Sequence, residues 1–185
     1  MIILEHLQYP LRKRLRDLQE ANLVTPTEDV LRWACQIAQG LQHAHARGVL
    51  QVDIGPHNIL LDGHGNVKLA DFAGSSIDGS SPSIASSTRA EHPRFPSSMP
   101  SLQTEVFALG SAFYELETTR KPFHDKMDHE VEKLFGAGNF PDTSSLELGR
   151  VISACWMMEY QDVGDVLRDI ELIQKEKVRT EIRRG

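Results

Sequence analysis

The stretch LQVDIGPHNILL, Leu50 to Leu61, sets Asp53 five residues before Asn58 and then runs straight into apolar residues. Ile59 to Leu61 read as one short strand, and Val67 to Ala70 read as a second. The DGHGN segment between them carries the glycines and asparagine that a tight reversal requires, so the pair predicts a β-hairpin. Asn58 precedes the first strand and Asp71 follows the second. Antiparallel neighbours lie about 5 Å apart, so these two side chains can meet at the open end of the hairpin, with Asp53 just upstream. Three oxygen-bearing side chains would then converge, the donor set that a magnesium–phosphate site uses. Taken singly, Asp53 is equally a turn cap, Asn58 a strand start and Asp71 a strand end. The triple spacing around a hairpin favours the site.

Upstream, TPTEDVLRWACQIAQGLQHAHARG predicts a helix. Thr25, Pro26 and Glu28 read as a capping box with a pre-set first turn. Val30, Ala34, Ile37, Ala38, Leu41 and Ala44 recur at helical spacing, and Gly48 supplies a left-handed stop. LRKRLRDLQ (Leu11 to Gln19) predicts a shorter helix whose basic residues form a solvated face. Downstream, Gly74 to Ser101 is rich in Ser, Pro and Gly and predicts a long surface loop. Gln103 to Thr118 is apolar almost all round, which predicts a helix buried in the domain centre. Leu146 to Met157 and Asp165 to Val178 read as amphipathic helices. The fold class expected is mostly α (α+β), with one small hairpin.

A chain of 185 residues suits one domain. The net charge of −6 gives no general attraction to nucleic acid or an anionic membrane. The two cysteines, Cys35 and Cys155, lie far apart, so neither a zinc site nor a disulfide framework is expected. Glu5 and His6 interrupt the first apolar run well short of the roughly 18 residues of a membrane span, and a soluble cytoplasmic or nuclear protein is expected. The eight histidines suggest no metal site, since His43 and His45 lie two apart on a helix and point different ways.

With these motifs in order, the sequence resembles the C-terminal lobe of a eukaryotic protein kinase. That family carries H-R-D-x-x-x-x-N, a strand hairpin and D-F-G; here the corresponding residues are Gln51, Val52 and Asp53 through Asn58, then Asp71, Phe72 and Ala73. TEVFALGSAFYEL and CWMMEYQDVGDVL resemble two later segments of the family, and MIILEH resembles its last N-lobe strand and hinge. The resemblance implies a kinase-like domain over residues 1–178, an activation-segment-like loop over 74–101 and a polar tail over 179–185. It implies Asp53 as the catalytic residue that orients a substrate hydroxyl, with Asn58 and Asp71 as ligands of Mg2+ on the phosphates of ATP. Leu4, Glu5, Leu7, Gly55 and Leu60 fall at ATP-binding positions, Leu4 as gatekeeper and Leu60 beneath the adenine. Gln51, Phe72 and Glu105 fall at supporting positions. The partners implied are ATP and a protein Ser/Thr substrate.

The departures from the family pattern have physical consequences. Val52 replaces an arginine that receives an activation-loop phosphate, which removes a bidentate partner. Gly55 replaces a lysine aimed at the transferred phosphoryl group, which removes one positive charge. Gln51 replaces a histidine that braces the D-F-G backbone, but its amide can still donate and accept. Ala73 replaces a glycine, a costly exchange wherever φ must be positive. Glu105 stands for a shorter aspartate that ties down the catalytic loop. Arg94 and Gln161 stand where the family has a buried Glu–Arg pair, and losing both partners costs less than losing one.

No glycine precedes Gly40 and no lysine precedes Lys13, so the glycine-rich loop and strand lysine of an N-lobe are not in this chain. The sequence therefore predicts a truncated kinase-type phosphotransferase that is inactive alone. A pseudokinase-like binding or scaffold module is the alternative, and a small-molecule phosphotransferase is the weakest reading.

Overall fold

The computed structural model describes residue 7 and residues 9–184; the expected ATP-site positions Leu4 and Glu5 lie outside the described residues. In chain order the elements are β1 (Tyr9–Pro10), α1 (Leu11–Glu20), α2 (Thr27–His45), β2 (Val49–Leu50), β3 (Ile59–Leu61), β4 (Val67–Leu69) and β5 (Ser76–Ile77). The helices α3 (Leu102–Thr118), α4 (Asp128–Gly136), α5 (Gly149–Trp156) and α6 (Val163–Arg184) complete the fold. It is mostly helical with small sheets, as the sequence predicts.

Helix α3 is the centre of the domain because its apolar residues leave no polar face. Phe107, Leu109, Phe113 and Leu116 are fully buried. It packs chiefly on α5, while α2 packs on α6 and on β4. The approach of α3 to α5 depends on Gly110: a Cβ there would lie 2.7 Å from Cys155 Cβ and 3.3 Å from the Ile152 carbonyl oxygen. Nearby, Trp156 donates its indole N–H to Ser111 Oγ at 3.0 Å and stacks on Phe140 at 5.3 Å.

The hairpin forms with β3 antiparallel to β4, pairing Ile59 with Leu69 and Leu61 with Val67. Asp62 organises the turn by accepting the His64 and Asn66 amides at 2.8 and 2.9 Å, and Gly65 takes φ 76°. Helix α2 holds the tip: Trp33 donates to the Gly65 carbonyl and Gln36 bonds both Asn66 and Val67. β1 adds a third strand on the other side, pairing Pro10 with Leu60.

Several local expectations change. Thr25 is not a cap: helix α2 begins at Thr27 with Pro26 before it, and the buried Thr25 hydroxyl donates to the Leu116 carbonyl at 2.5 Å. The cap that does form is at α3, where Ser101 and Thr104 exchange side-chain and backbone hydrogen bonds. Helix α4 escapes the sequence pattern because only Val131 and Phe135 of its residues are buried. Helix α6 continues to Arg184, past the boundary expected at Val178. The 74–101 segment lies mostly outside the core, to which it gives Ala90, and is not loose. β5 pairs with β2, and Arg89 donates to the carbonyls of Pro122 and Lys126 and pairs with Asp128. No helix among the described residues is long and apolar enough to cross a membrane.

Gly110→Val forces a branched side chain into the α3–α5 contact. It is expected to cost about 1–3 kcal/mol, seen as a lower urea midpoint with an unchanged slope.

Candidate active site

The site is built outward from one buried carboxylate. Glu105, 2% exposed, leaves the first turn of α3 and accepts the Val52 amide on Oε1 at 2.6 Å and the Gln51 amide on Oε2 at 3.1 Å. His45 at the end of α2 bonds the same Oε2 at 2.8 Å. The expected tie between Glu105 and the loop is therefore present in the geometry, and the extra methylene does not prevent it. Val52 adopts φ 72°, a left-handed conformation rare for a β-branched residue. The Asp53 amide closes the three-residue turn on the Gln51 carbonyl at 2.9 Å, and Ser86 donates to the Val52 carbonyl at 2.5 Å. Such a conformation costs about 1–3 kcal/mol, offset here by hydrogen bonds on both sides of the residue.

The turn presents Asp53, whose Oδ2 accepts from His57 Nε2 at 2.8 Å and from Asn58 Nδ2 at 3.1 Å. Asn58 Nδ2 also bonds the Asp53 carbonyl at 2.9 Å, which leaves Asn58 Oδ1 without a partner among the described residues. The Asn58 carbonyl accepts the Ala70 amide at 2.8 Å, and Gln51 Nε2 donates to the Ala70 carbonyl at 2.7 Å. Ala70 is thus gripped from both sides, and the next residue, Asp71, follows at φ 54° with an exposed side chain. Asp53, Asn58 and the backbone leading into Asp71 come together at the open end of the hairpin, while the Asp71 side chain is exposed.

Other site residues distribute unevenly. Leu60 is half-buried on the face of β3 opposite the core, and β1 brings the chain that follows half-buried Leu7 alongside it. Phe72 is 38% exposed. Ala73 is not among the residues with positive φ, so the strain expected there falls on Val52 and Asp71 instead. Arg94 and Gln161 are both exposed. Gly55 is buried, and a Cβ on it would lie 2.8 Å from His57 Cε1 and Nδ1.

His57, His45 and Ser86 escaped the sequence reading. His57 had a signal, since it sits four residues after Asp53 in a Gly-Pro turn that folds it back. His45 and Ser86 had none, because their partners lie 60 and 34 residues away.

Burial pushes the Asp53 carboxyl upward. Hydrogen bonds from His57 and Asn58, with attraction to His57 and Arg12, outweigh it and hold the carboxyl below the usual carboxylate range. A depressed folded value makes this a contribution to stability that is present above the unfolded pKa of about 3.9 and lost as pH falls through the folded one. His57→Ala is expected to raise the Asp53 pKa, read from the carboxyl carbon shift in an NMR titration. His57→Gln, which keeps a donor, is expected to raise it less.

The comparisons place this loop and hairpin in a class of protein. A family model described as "Protein kinase domain" matches residues 1–162. Similar proteins include the serine/threonine-protein kinase RUNKEL of Arabidopsis thaliana, 32% identical over 124 residues that make up 63% of this chain and 9% of that protein. Kinase suppressor of Ras 2 of Homo sapiens is 26% identical over 184 residues, 85% of this chain and 19% of the relative. A probable serine/threonine-protein kinase of Clostridium perfringens, CPE1738, is 25% identical over 186 residues, 92% and 27% of the two chains. The chain spans less than a third of the length of each of these relatives. With the family model covering most of its length and the hairpin holding the family's two motifs together, this chain belongs to the protein kinase domain family.

Proposed function

We propose that this chain is the catalytic-loop half of a serine/threonine-type protein kinase, with Asp53 orienting a substrate hydroxyl and Asn58 and Asp71 holding Mg2+ on ATP. The observation that carries this is the joint restraint of Asp53, Asn58 and Ala70: one amide side chain fixes Asp53, and one carbonyl fixes the strand that delivers Asp71. The fit to Mg2+ rests on Asn58 Oδ1, without a hydrogen-bond partner among the described residues, and on the exposed Asp71 carboxylate that follows Ala70. Two protein oxygens suffice because Mg2+ keeps several waters and takes further oxygens from phosphate. When bound, Mg–ATP supplies the phosphoryl group and neutralises its charge.

This chain's own residues do the rest. Asp53, ionised because its carboxyl is held low, keeps Oδ1 available to accept a hydrogen bond from a substrate hydroxyl. Gln51 steadies the Ala70 end of the Asp71 segment. Leu60 and Leu7 offer apolar surface to a purine, with Leu4 and Glu5 as further contacts and Gly55 beside the phosphates. Phe72 and Glu105 support the two motifs. The glycine-rich loop and strand lysine are not among these 185 residues, so we infer that phosphoryl transfer requires a lobe that supplies them. A cytoplasmic or nuclear setting, where thiols stay reduced, fits free Cys35 and Cys155.

A second reading, a pseudokinase-like binding or scaffold module, is favoured by one observation. The place of the phosphoryl-directed lysine is taken by Gly55, and His57 fills the space above it.

In a thermal melt with ATP, the 185-residue chain is expected to show no magnesium-dependent shift. The same chain joined to a lobe with a glycine-rich loop and strand lysine is expected to show one. Phosphotransfer by that joined protein is expected to fall about 10²–10⁴-fold in Asp53→Asn, with Asp71→Asn also impaired. A wild type no faster than these variants would establish the scaffold reading.

A further inference from the structure

A cavity of about 410 Å³ lies between α1 and the segment that follows α3. Its walls include Arg12, Arg16, Arg120, Lys121 and His124, with Glu115 as the one carboxylate. In a chain of net charge −6 this is a local reversal of sign, and its cations are poorly matched by protein acceptors. Lys121 is exposed, with no hydrogen bond or ion pair among the described residues. Among the described residues the Arg120 guanidinium bonds only His124 Nε2, at 2.9 Å. Arg16 reaches Glu20 at 3.8 Å with both side chains largely in water, a pair of little worth. Arg12 pairs with Glu115 at 3.2 Å, yet its Nε is buried without a partner among the described residues.

An unpaired guanidinium N–H is costly, but this Nε is closed to solvent while the Arg12 side chain as a whole is 37% exposed, so it is the rest of the guanidinium that is open to an anion in the cavity. The solvated face expected of the LRKRLR run holds for Lys13, which pairs with Asp17, and for Arg16, whose exposed side chain also borders the cavity mouth; Arg12 is the one that turns inward, against Glu115. Arg89 also lies in the wall, but its guanidinium is spent on carbonyls and Asp128.

The cavity also adjoins the catalytic loop. The Arg12 amide donates to the Pro56 carbonyl at 2.9 Å, and Arg12, Glu115 and Lys121 wall a narrow gap whose far side is Gly55, Pro56 and His57. A peptide with its hydroxyl at Asp53 has this cavity within a few residues' reach. Extended chain covers about 3.3 Å per residue.

We propose that the cavity selects protein substrates carrying an anionic side chain, carboxylate or phosphorylated, near the accepting hydroxyl. The proposal rests on the protein kinase reading of the Asp53 site, but binding tests it without any phosphotransfer. Serine peptides of one length, with flanking residues that are acidic, phosphorylated, neutral or basic, are titrated against the full chain by fluorescence anisotropy. Acidic or phosphorylated peptides are expected to bind best, and Arg120→Glu with Lys121→Glu is expected to weaken them about tenfold or more. Lys175→Glu on α6, outside the cavity, is expected to leave binding unchanged. Asp53→Asn, which removes the chemistry, is expected to keep the preference. Equal binding of neutral peptides, no binding of any peptide, or equal losses from the Lys175 and cavity variants would overturn the proposal. Both reversed residues are exposed, and melts of the single Lys121→Glu and double variants separate loss of fold from loss of binding.

Discussion

The site depends on a carboxylate that sees almost no water. Glu105 takes the amides of Gln51 and Val52 and a ring nitrogen of His45, so each of its oxygens has a donor. An unpaired charge at this depth costs several kcal/mol, and removing one partner from such a network typically costs about 3–5 kcal/mol. The arrangement therefore persists as a unit. It joins the end of α2, the start of α3 and the loop between them, so the most buried helix and the catalytic loop share one anchor. Val52 keeps its left-handed turn because the two groups around it are held, and the turn aims Asp53 outward.

The restraint extends beyond the loop. Gln51 bonds Glu105 through its backbone and the Ala70 carbonyl through its side chain, while Asn58 bonds Asp53 through its side chain and Ala70 through its carbonyl. Residues at both ends of the hairpin thus share two intermediaries. Gln51 does this with a single amide whose Oε1 remains buried and unpartnered, a cost that goes with replacing an imidazole by an amide at this position. A comparable exchange happens at Gly55 and His57. With no side chain at Gly55, the His57 ring can lie over it and reach Asp53, and any Cβ there would collide with the ring. The lost lysine and the gained histidine contact are one steric event.

The legible parts of the sequence were those with a period or a short-range geometry. The apolar repeat of α2, the saturated apolarity of α3 and the two runs around Asp62 to Asn66 each identify their element, and the hairpin places Asn58 relative to Asp71 by strand spacing alone. Illegible parts depend on partners far along the chain. Thr25 followed by Pro26 and Glu28 satisfies a capping pattern, but its hydroxyl is drawn to Leu116, 91 residues on. Helix α4 shows too few apolar residues for a period, and β5 is two residues long inside a serine-rich run. The spacing of His43 and His45 bears only on metal ligation, whereas the His45 hydrogen bond to Glu105 depends on how α2 crosses α3.

Net charge misleads for a related reason. A total of −6 describes the field far from the protein, whereas fixed charges beyond about 8–10 Å of one another are largely screened at physiological salt. What a bound peptide meets is the handful of groups within that distance. On the α1 side of the catalytic loop those groups are Arg12, Arg16, Arg120 and Lys121 against one carboxylate already engaged. Arg12 belongs to both neighbourhoods: it closes the cavity through Glu115 and helps hold the Asp53 carboxyl low. A charge that adds to the larger effects of His57 and Asn58 in lowering the Asp53 carboxyl is therefore also in the wall of the cavity. On the proposed reading this one guanidinium would link recognition to chemistry, on a helix tied to the catalytic loop by the Arg12 amide bonded to the Pro56 carbonyl.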